Sequence, residues 1–420
     1  MWDRLSPAAH AAALGWVVAD RLSALSALTR RHPDGVVLRL PRRRLVLLAR
    51  PEEIKHVLVD NARGYTKGLG QAEAAGWFGG GVLTAEGLAW FEQRESVGEL
   101  LAARRVQKLL PDLTRTARCS VSGLGSEDWA ILDPRAHVAR YTTEVLALAL
   151  GLAHLDVDAA SDAFAVLQRQ VMFETTTQQL LPGWARPVHR RMVRRHRTHL
   201  EALARVALRD RPDDAAPWAT PERLLTLWLA GYETTAATLA WALSFLASRP
   251  DVQQRIAEEA HAVLDHPTPG HPPALPTALA VFRETVRLHP PVWLVSRRAL
   301  EDDRVGENRV RRGDDVAVCV HALQRRVADP ETFDPDRPRE GGSLAFGQGP
   351  RACPGASLAD LEATLWLALA CRDLELEPAG SPPPRPVALL SQTPSAFAVR
   401  VRRRVRSAAA PDRTPVPASG

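Results

Sequence analysis

From Leu224 to Ala247 the chain runs for 24 residues with a single formal charge, Glu233. A stretch this long and apolar belongs either in a bilayer or in the middle of a protein large enough to wrap it. Length permits the first, since a spanning helix needs about 20 apolar residues. The centre argues against it, because Glu233-Thr234-Thr235 would put an ionisable group at mid-bilayer at a cost of at least ~2.5 kcal/mol. The segment reads as a long buried helix, and no membrane anchor is expected. A chain of 420 residues can bury roughly 75% of its unfolded surface, which is enough to wrap such a helix without disulfide staples. The four cysteines, Cys119, Cys319, Cys353 and Cys371, form no zinc spacing and no disulfide framework. The start, Met-Trp-Asp-Arg, lacks the basic, then apolar, profile of a signal peptide. A reducing, cytoplasmic compartment fits.

Charge narrows the partners. Lys+Arg number 54 against 48 Asp+Glu, and only Lys55, Lys67 and Lys108 are lysine. That skew points to a G+C-rich genome more than to nucleic acid, because arginine is interspersed with acid along the chain. Arg186–Arg197 holds six arginines without interleaved aromatics and reads as a solvated helix face.

The pattern along the chain is mainly helical. Ser6-Pro7 reads as a capped helix start, and the β-branched runs at 36–40 and 44–48 read as a hairpin. Residues 66–88, with Gly79-Gly80-Gly81, read as a long loop. Helical patterns extend from Trp90 to about Ala262. A proline-rich stretch then precedes a helix ending at His289-Pro290-Pro291. Short strands follow, then a broken segment at 329–351 and a helix from about Ala356 to Cys371. The tail after Arg400 has no apolar period and reads as disordered.

The most specific motif is Phe346-Gly347-Gln348-Gly349-Pro350-Arg351-Ala352-Cys353-Pro354-Gly355. It is a glycine turn presenting one cysteine before a helix start, where amide N–H groups and the helix N-terminus favour a thiolate. A second lies at the centre of the apolar helix, Ala230-Gly231-Tyr232-Glu233-Thr234-Thr235. Here Thr226, Leu229, Ala230, Glu233 and Thr234 share one face by three-and-four spacing. Taken alone, this fits equally well a satisfied buried acid with threonines bonded to the preceding turn. A third, Glu284-Thr285-Val286-Arg287, is an i,i+3 pair of a kind common in helices.

Together these motifs resemble the cytochrome P450 family, from about residue 35 to 400. Its haem signature, Phe-Gly-x-Gly-x-Arg-x-Cys-x-Gly, is matched at every fixed position, Phe346, Gly347, Arg351, Cys353 and Gly355 included. The resemblance implies a mainly α fold: one large helical domain over residues 1–400, with small β-sheets around a buried haem b. It implies Cys353 as the axial ligand of the haem iron and Arg351 as a partner of a haem propionate. Glu233 and Thr234 would guide protons for dioxygen activation, and Ala230 and Gly231 would leave room for dioxygen. Trp90 and Arg94 match a propionate-reaching helix, and Arg297, with Arg298 beside it, another propionate arginine. Glu284 and Arg287 would join Arg337 as structural supports. At Arg337 the chain departs from the usual Pro-Glu-Arg-Phe through Asp336 and Pro338. Cys119, Cys319 and Cys371 have no matching context and read as buried, inert thiols.

The implied activity is monooxygenation of a lipophilic small molecule in specialised metabolism, of the soluble bacterial, actinobacterial type. Thr226, Leu229, Val292, Trp293 and Val295 are expected to wall the substrate pocket. Electrons would pass from NAD(P)H through a separate ferredoxin reductase and ferredoxin to a monomeric enzyme, since no segment remains for a flavin or iron–sulfur domain. Arg104, Arg105 and Lys108 would meet the acidic donor. Oxidative coupling or peroxide use is the alternative, and a non-catalytic haem sensor the remote one.

Overall fold

The computed structural model describes residues 1–40, 43–125, 127–180, 190–209, 218–265, 272–338 and 343–404. The apolar segment is one helix, Pro221–Leu246, started by Pro221 behind the Thr220 cap, whose hydroxyl accepts from Arg223 N. Seventeen of its 26 residues are buried. Helix Pro134–Leu150 packs closest against it. The approach depends on Gly231, where an added Cβ would stand 2.7 Å from Leu146 Cδ1. Thr142 Oγ1 donates to Tyr232 O at 2.9 Å across the same seam. Helices Arg190–Leu208, Pro276–Leu288 and Ala356–Asp373 also contact the central helix.

Beside the helices lies a six-stranded sheet in the spatial order Asp3–Arg4, Val36–Leu40, Arg43–Leu48, Asp315–Val318, Val295–Ala299, Tyr65–Lys67. The expected hairpin is there, with Val37 opposite Val46. At the far edge Lys67 pairs with Arg297, so two cations from distant parts of the chain stand opposite one another.

Four sequence expectations change. The 66–88 loop contains a helix, Gln71–Phe78. It starts where Gly70 takes φ +85° and the Glu73 carboxylate accepts from Gly70 N at 2.7 Å. The helical run from Trp90 to Ala262 is interrupted by strand Ala130–Leu132, which pairs with Val399–Arg403. That last strand continues past Arg400, because its arginines have work in the fold. Arg400 and Arg402 cover the Trp129 ring at 4.7 and 4.6 Å and pair with Glu377 and Glu375. The rest of the expected tail, 405–420, lies outside the described residues. So does the start of the arginine-rich 186–197 stretch, whose last member, Arg197, pairs with Glu201 and Glu222. Cys319 and Cys371 are buried as expected, but Cys119 is exposed on the outer face of helix Leu110–Ser122.

Glu284, 4% exposed, joins three chain segments. Its carboxylate accepts from Arg287 Nε and Nη2, each at 2.8 Å, from Asp334 N at 3.1 Å and from Arg337 Nε at 3.5 Å. Both arginines also donate to carbonyls between Gln324 and Thr332. They fasten the irregular segment that leads to the cysteine turn. The departure at Asp336 is explained by an outward bidentate pair with Arg255, 2.7 Å on each arm. Glu284→Gln should therefore cost about 3–5 kcal/mol in urea unfolding, because it leaves two part-buried guanidinium groups uncompensated. Asp336→Ala, which breaks an exposed pair, should cost less than about 1 kcal/mol.

Candidate functional site

The cysteine turn is built by two glycines. Gly347 (φ +70°) and Gly349 (φ +72°) take left-handed backbone. A Cβ on Gly349 would overlap Leu58 O, so this turn is pressed against the segment His56–Asp60. Cys353 N donates to Phe346 O at 2.7 Å, closing the loop. The accessible surface of Cys353 faces a cavity with about 290 Å³ open to the centre of a water molecule. Burial pushes the thiol up, against the Gly355 amide and Arg94, which pull it down.

The opposite wall is the central helix. Leu227, Ala230, Gly231, Thr234 and Thr238 line the cavity at three- and four-residue intervals. Thr234 Oγ1 donates to Ala230 O at 2.8 Å, the back-bond expected of a helical threonine. Trp90, Arg94, Arg297, Arg351, Phe346, Gly347, Gly355, Val292 and Val295 complete the expected residues on this cavity.

One edge is strongly cationic. Lys67, Arg297 and Arg351 line the cavity there around Glu86, and Arg94 lines it nearer the thiol. Arg351 makes a two-armed pair with Glu86 at 3.1 and 2.5 Å and stacks on Trp90 at 4.7 Å. Among the described residues the Arg297 guanidinium donates only to Ser296 O, while Arg298 turns away to the buried Asp315. Of these two neighbours, Arg297 is the one that lines the cavity. Burial lowers Arg297 to about 10 and Lys67 to about 7, with Lys67 Nζ donating to Val82 O and Ala85 O at 2.9 and 2.6 Å. Three cations around one carboxylate, with Arg94 a fourth on the same apolar cavity, call for an anionic ligand. A thiol raised by burial at the other end suits a metal cation, whose charge would reverse that shift. The residues therefore fit a metal-bearing macrocycle with carboxylate arms, as haem is.

Glu233 lies elsewhere. It faces a second apolar cavity with about 270 Å³ open to water centres, walled also by Thr226, Leu229 and Trp293. Its Oε1 accepts from Gln168 Nε2 at 2.8 Å and its Oε2 from Ser391 Oγ. Burial raises its pKa, and both hydrogen bonds oppose that. The two cavities meet at Gln71, Leu83, Ala230, Thr234 and Val292. The acid–alcohol pair is thus split: Thr234 faces both cavities and Glu233 only the second.

Sequence reading gave no role of their own to Lys67, Glu86, Glu362, Gln168 and Ser391. Lys67 carried a signal, being one of three lysines among 51 arginines, at a site where a guanidinium could not shed its charge. Glu362 lines the first cavity from helix Ala356–Asp373 and is raised to about 8, chiefly by burial, against a hydrogen bond from Thr235. It had no motif to announce it.

Helical packing, a thiol-ended cavity and a cationic edge define a haem-thiolate architecture. Comparison with known proteins agrees. The family model described as Cytochrome P450 matches residues 221–400. Cyclooctatin synthase of Streptomyces melanosporofaciens is 30% identical over 391 residues, 80% of this chain and 82% of that protein. A probable cytochrome P450 4s3 of Drosophila melanogaster is 36% identical over 191 residues, 43% of this chain but only 38% of its own length. The crystal structure of CYP175A1 from Thermus thermophilus superposes with a TM-score of 0.80 at 28% identity, covering 96% of this chain and all of that one. The chain belongs to the cytochrome P450 family, and its fold is the mainly α fold of that family.

Glu362 is an acid whose folded pKa lies above its unfolded one. The folded state holds the extra proton between about 4.5 and about 8, so its burial increasingly destabilises the protein as pH rises through that window. Glu362→Gln should remove this slope. The Tm difference between variant and parent should widen in the variant's favour from pH 5 to pH 8 in thermal unfolding, and stay flat above pH 9.

Proposed function

We propose that this chain is a haem-dependent monooxygenase acting on a lipophilic small molecule. The observation that carries the reading is the shared cavity of Cys353 and Thr234, with a cationic edge beside them. Haem b, when bound, would supply dioxygen activation and oxygen insertion. The chain would hold it through Cys353 at the iron and through Arg94, Lys67, Arg297 and Arg351 at its carboxylates. The Arg351–Glu86 pair and the Trp90 ring fix the guanidinium plane in advance, so little ordering is left for binding. Lys67, depressed by burial to about 7, would regain its full charge against an anion, and Arg297, at about 10, would meet it already charged.

Thr234 Oγ1, at the junction of the two cavities, would hold and pass a proton there. Glu233 would serve as its reserve acid, since burial raises its pKa above that of an ordinary carboxyl. The apolar walls exclude water from that junction. The second cavity, walled mainly by aliphatic side chains with Phe78 and Trp293, would receive the substrate; a terpenoid or similar product of specialised metabolism suits it. Electrons would come from NAD(P)H through a ferredoxin and its reductase, in the reducing cytoplasm that four free thiols suit. The exposed Arg104, Arg105 and Lys108 on helix Ala103–Lys108 follow the helix that carries Trp90 and Arg94, and would steer an acidic donor.

The test is reconstitution with haem, a ferredoxin–reductase pair and NADPH, after a compound library is screened by the substrate-induced haem spectral shift. Product should form only with dioxygen and reductant. Cys353→Ser should lose the thiolate-ligated spectrum, and Thr234→Ala should consume NADPH while yielding several-fold less product per electron pair. Reversing all three of Arg104, Arg105 and Lys108 to Glu should slow haem reduction about tenfold or more at low salt and much less at high salt. Turnover with peroxide alone, and none with the donor pair, would replace this reading with the peroxide-using one.

A further inference from the structure

The hydroxyls on the second cavity are already engaged within the chain. Thr84, Thr175, Thr226 and Thr234 each donate to a main-chain carbonyl, Ser296 donates to Leu69 O, and Ser391 donates to Glu233. Arg21, which also lines this cavity, is engaged as well. Gln71 stands apart. It lines both cavities at their junction, yet its Oε1 is buried without a hydrogen-bond partner, and its Nε2 donates to no group among the described residues. A primary amide left open in an apolar setting is costly unless something outside the chain answers it.

The amide is held in place from behind. Gln71 opens helix Gln71–Phe78 directly after Gly70, whose N–H is taken by the Glu73 carboxylate. Just before it, Leu69 O accepts from Ser296 Oγ at 2.8 Å, and Gly68 N donates to Ser296 O at 3.3 Å. Gly68 lies so close to strand Val295–Ala299 that an added Cβ would stand 2.8 Å from Arg297 N. Strand and helix therefore fix the backbone on both sides of Gln71, and a bound molecule meets an amide already placed. A carboxamide offers a donor and an acceptor, and half a turn about its last bond exchanges them. One hydroxyl can answer both, accepting from Nε2 and donating to Oε1. An ether or a ketone can answer only the N–H, and a hydrocarbon neither.

We propose that Gln71 determines specificity: it selects lipophiles that already carry a hydroxyl and holds that hydroxyl at the junction, with the hydrocarbon body in the second cavity. Ala230 and Thr234 share the junction, so the carbons beside the hydroxyl are the ones presented to the first cavity. A cationic substrate is not called for, because the Glu233 carboxyl already accepts from Gln168 and Ser391. The selection rests on the second cavity being the substrate site, and the product rests on the monooxygenase reading. A C–H bond near the hydroxyl becomes C–OH: one atom of dioxygen enters it and the other leaves as water, with two electrons from the donor proteins and two protons. The product is a diol. A hydration or an earlier hydroxylation of the same skeleton must therefore supply the substrate.

The test is titration calorimetry of the full-length haem-loaded protein with matched sets on several terpene skeletons, each as hydrocarbon, methyl ether, ketone and alcohol. On at least one skeleton the alcohol should bind about tenfold or more tighter than the other members, since it alone answers both atoms of the amide. Gln71→Leu should bring the alcohol to the level of its hydrocarbon, with hydrocarbon affinity no weaker and Tm unchanged. Gln71→Met should do the same with a side chain of similar length. Parent turnover should place the new oxygen close to the first, and Gln71→Leu should scatter it over other carbons. Alcohols that bind no better than their hydrocarbons on every skeleton, or not at all, overturn the proposal. So does a preference that survives both variants, and a ketone equal to its alcohol overturns the hydroxyl assignment. Selective alcohol binding without any turnover would sink the monooxygenase reading and leave the selection standing, whereas turnover without selection would do the reverse.

Discussion

The architecture turns on one constraint: an apolar helix of 26 residues carries a carboxyl group at its middle and has to be wrapped completely. Wrapping it needs close neighbours on most sides, which explains Gly231 against Leu146 and the dense contact with helix Pro134–Leu150. It also leaves two faces that are never filled by protein. One runs through Leu227, Ala230, Gly231, Thr234 and Thr238 toward Cys353. The other runs through Thr226, Leu229, Ala230, Glu233 and Thr234 toward the sheet and the N-terminal helices. Small side chains at Ala230 and Gly231 keep the first face open, and threonine at the shared position lets one hydroxyl serve both.

The charge arrangement around the first cavity is understandable only with an anion in view. Burying three cations around a single carboxylate, with Arg94 on the same cavity, is expensive, and the chain reduces the cost in two ways. Arg351 is neutralised in place by Glu86. Lys67 can give up its proton near neutral pH, an escape closed to arginine. In a sequence that uses arginine almost everywhere else, lysine at this point is a physical choice: it is the residue that tolerates the cavity both with and without a negative ligand.

What the sequence made legible was chemistry held in local spacing. The cysteine turn, the central helix and the Glu-x-x-Arg pair each sit within about ten residues, so their side-chain order could be read directly, and the structure brings Cys353, Thr234, Trp90, Arg94, Arg297 and Arg351 to one cavity. Illegible were partners far apart in the chain. Glu86 meets Arg351 across 265 positions, Glu233 meets Ser391 across 158 and Gln168 across 65. Nothing local distinguishes such a glutamate or serine from a solvated one. The helix Gln71–Phe78 was hidden for a related reason: glycines on both sides of it suggested a loop, whereas Gly70 and Gly79 are its two ends.

The split between Glu233 and Thr234 follows from helix geometry. Neighbouring residues on a helix are about 100° apart, so both could not face the cysteine while the helix also packs against Gln168. The hydroxyl took the junction and the carboxyl took the second cavity. There the carboxyl links helix Val157–Leu180, through Gln168, to the turn before strand Gln392–Pro394, through Ser391. Any molecule that fills the second cavity must therefore pack beside this acid, whose pKa burial already raises. Occupancy of that cavity and the proton affinity of Glu233 are coupled by construction: an apolar occupant displaces water, strengthens the burial that already raises this acid, and so keeps its proton available one helical position from Thr234.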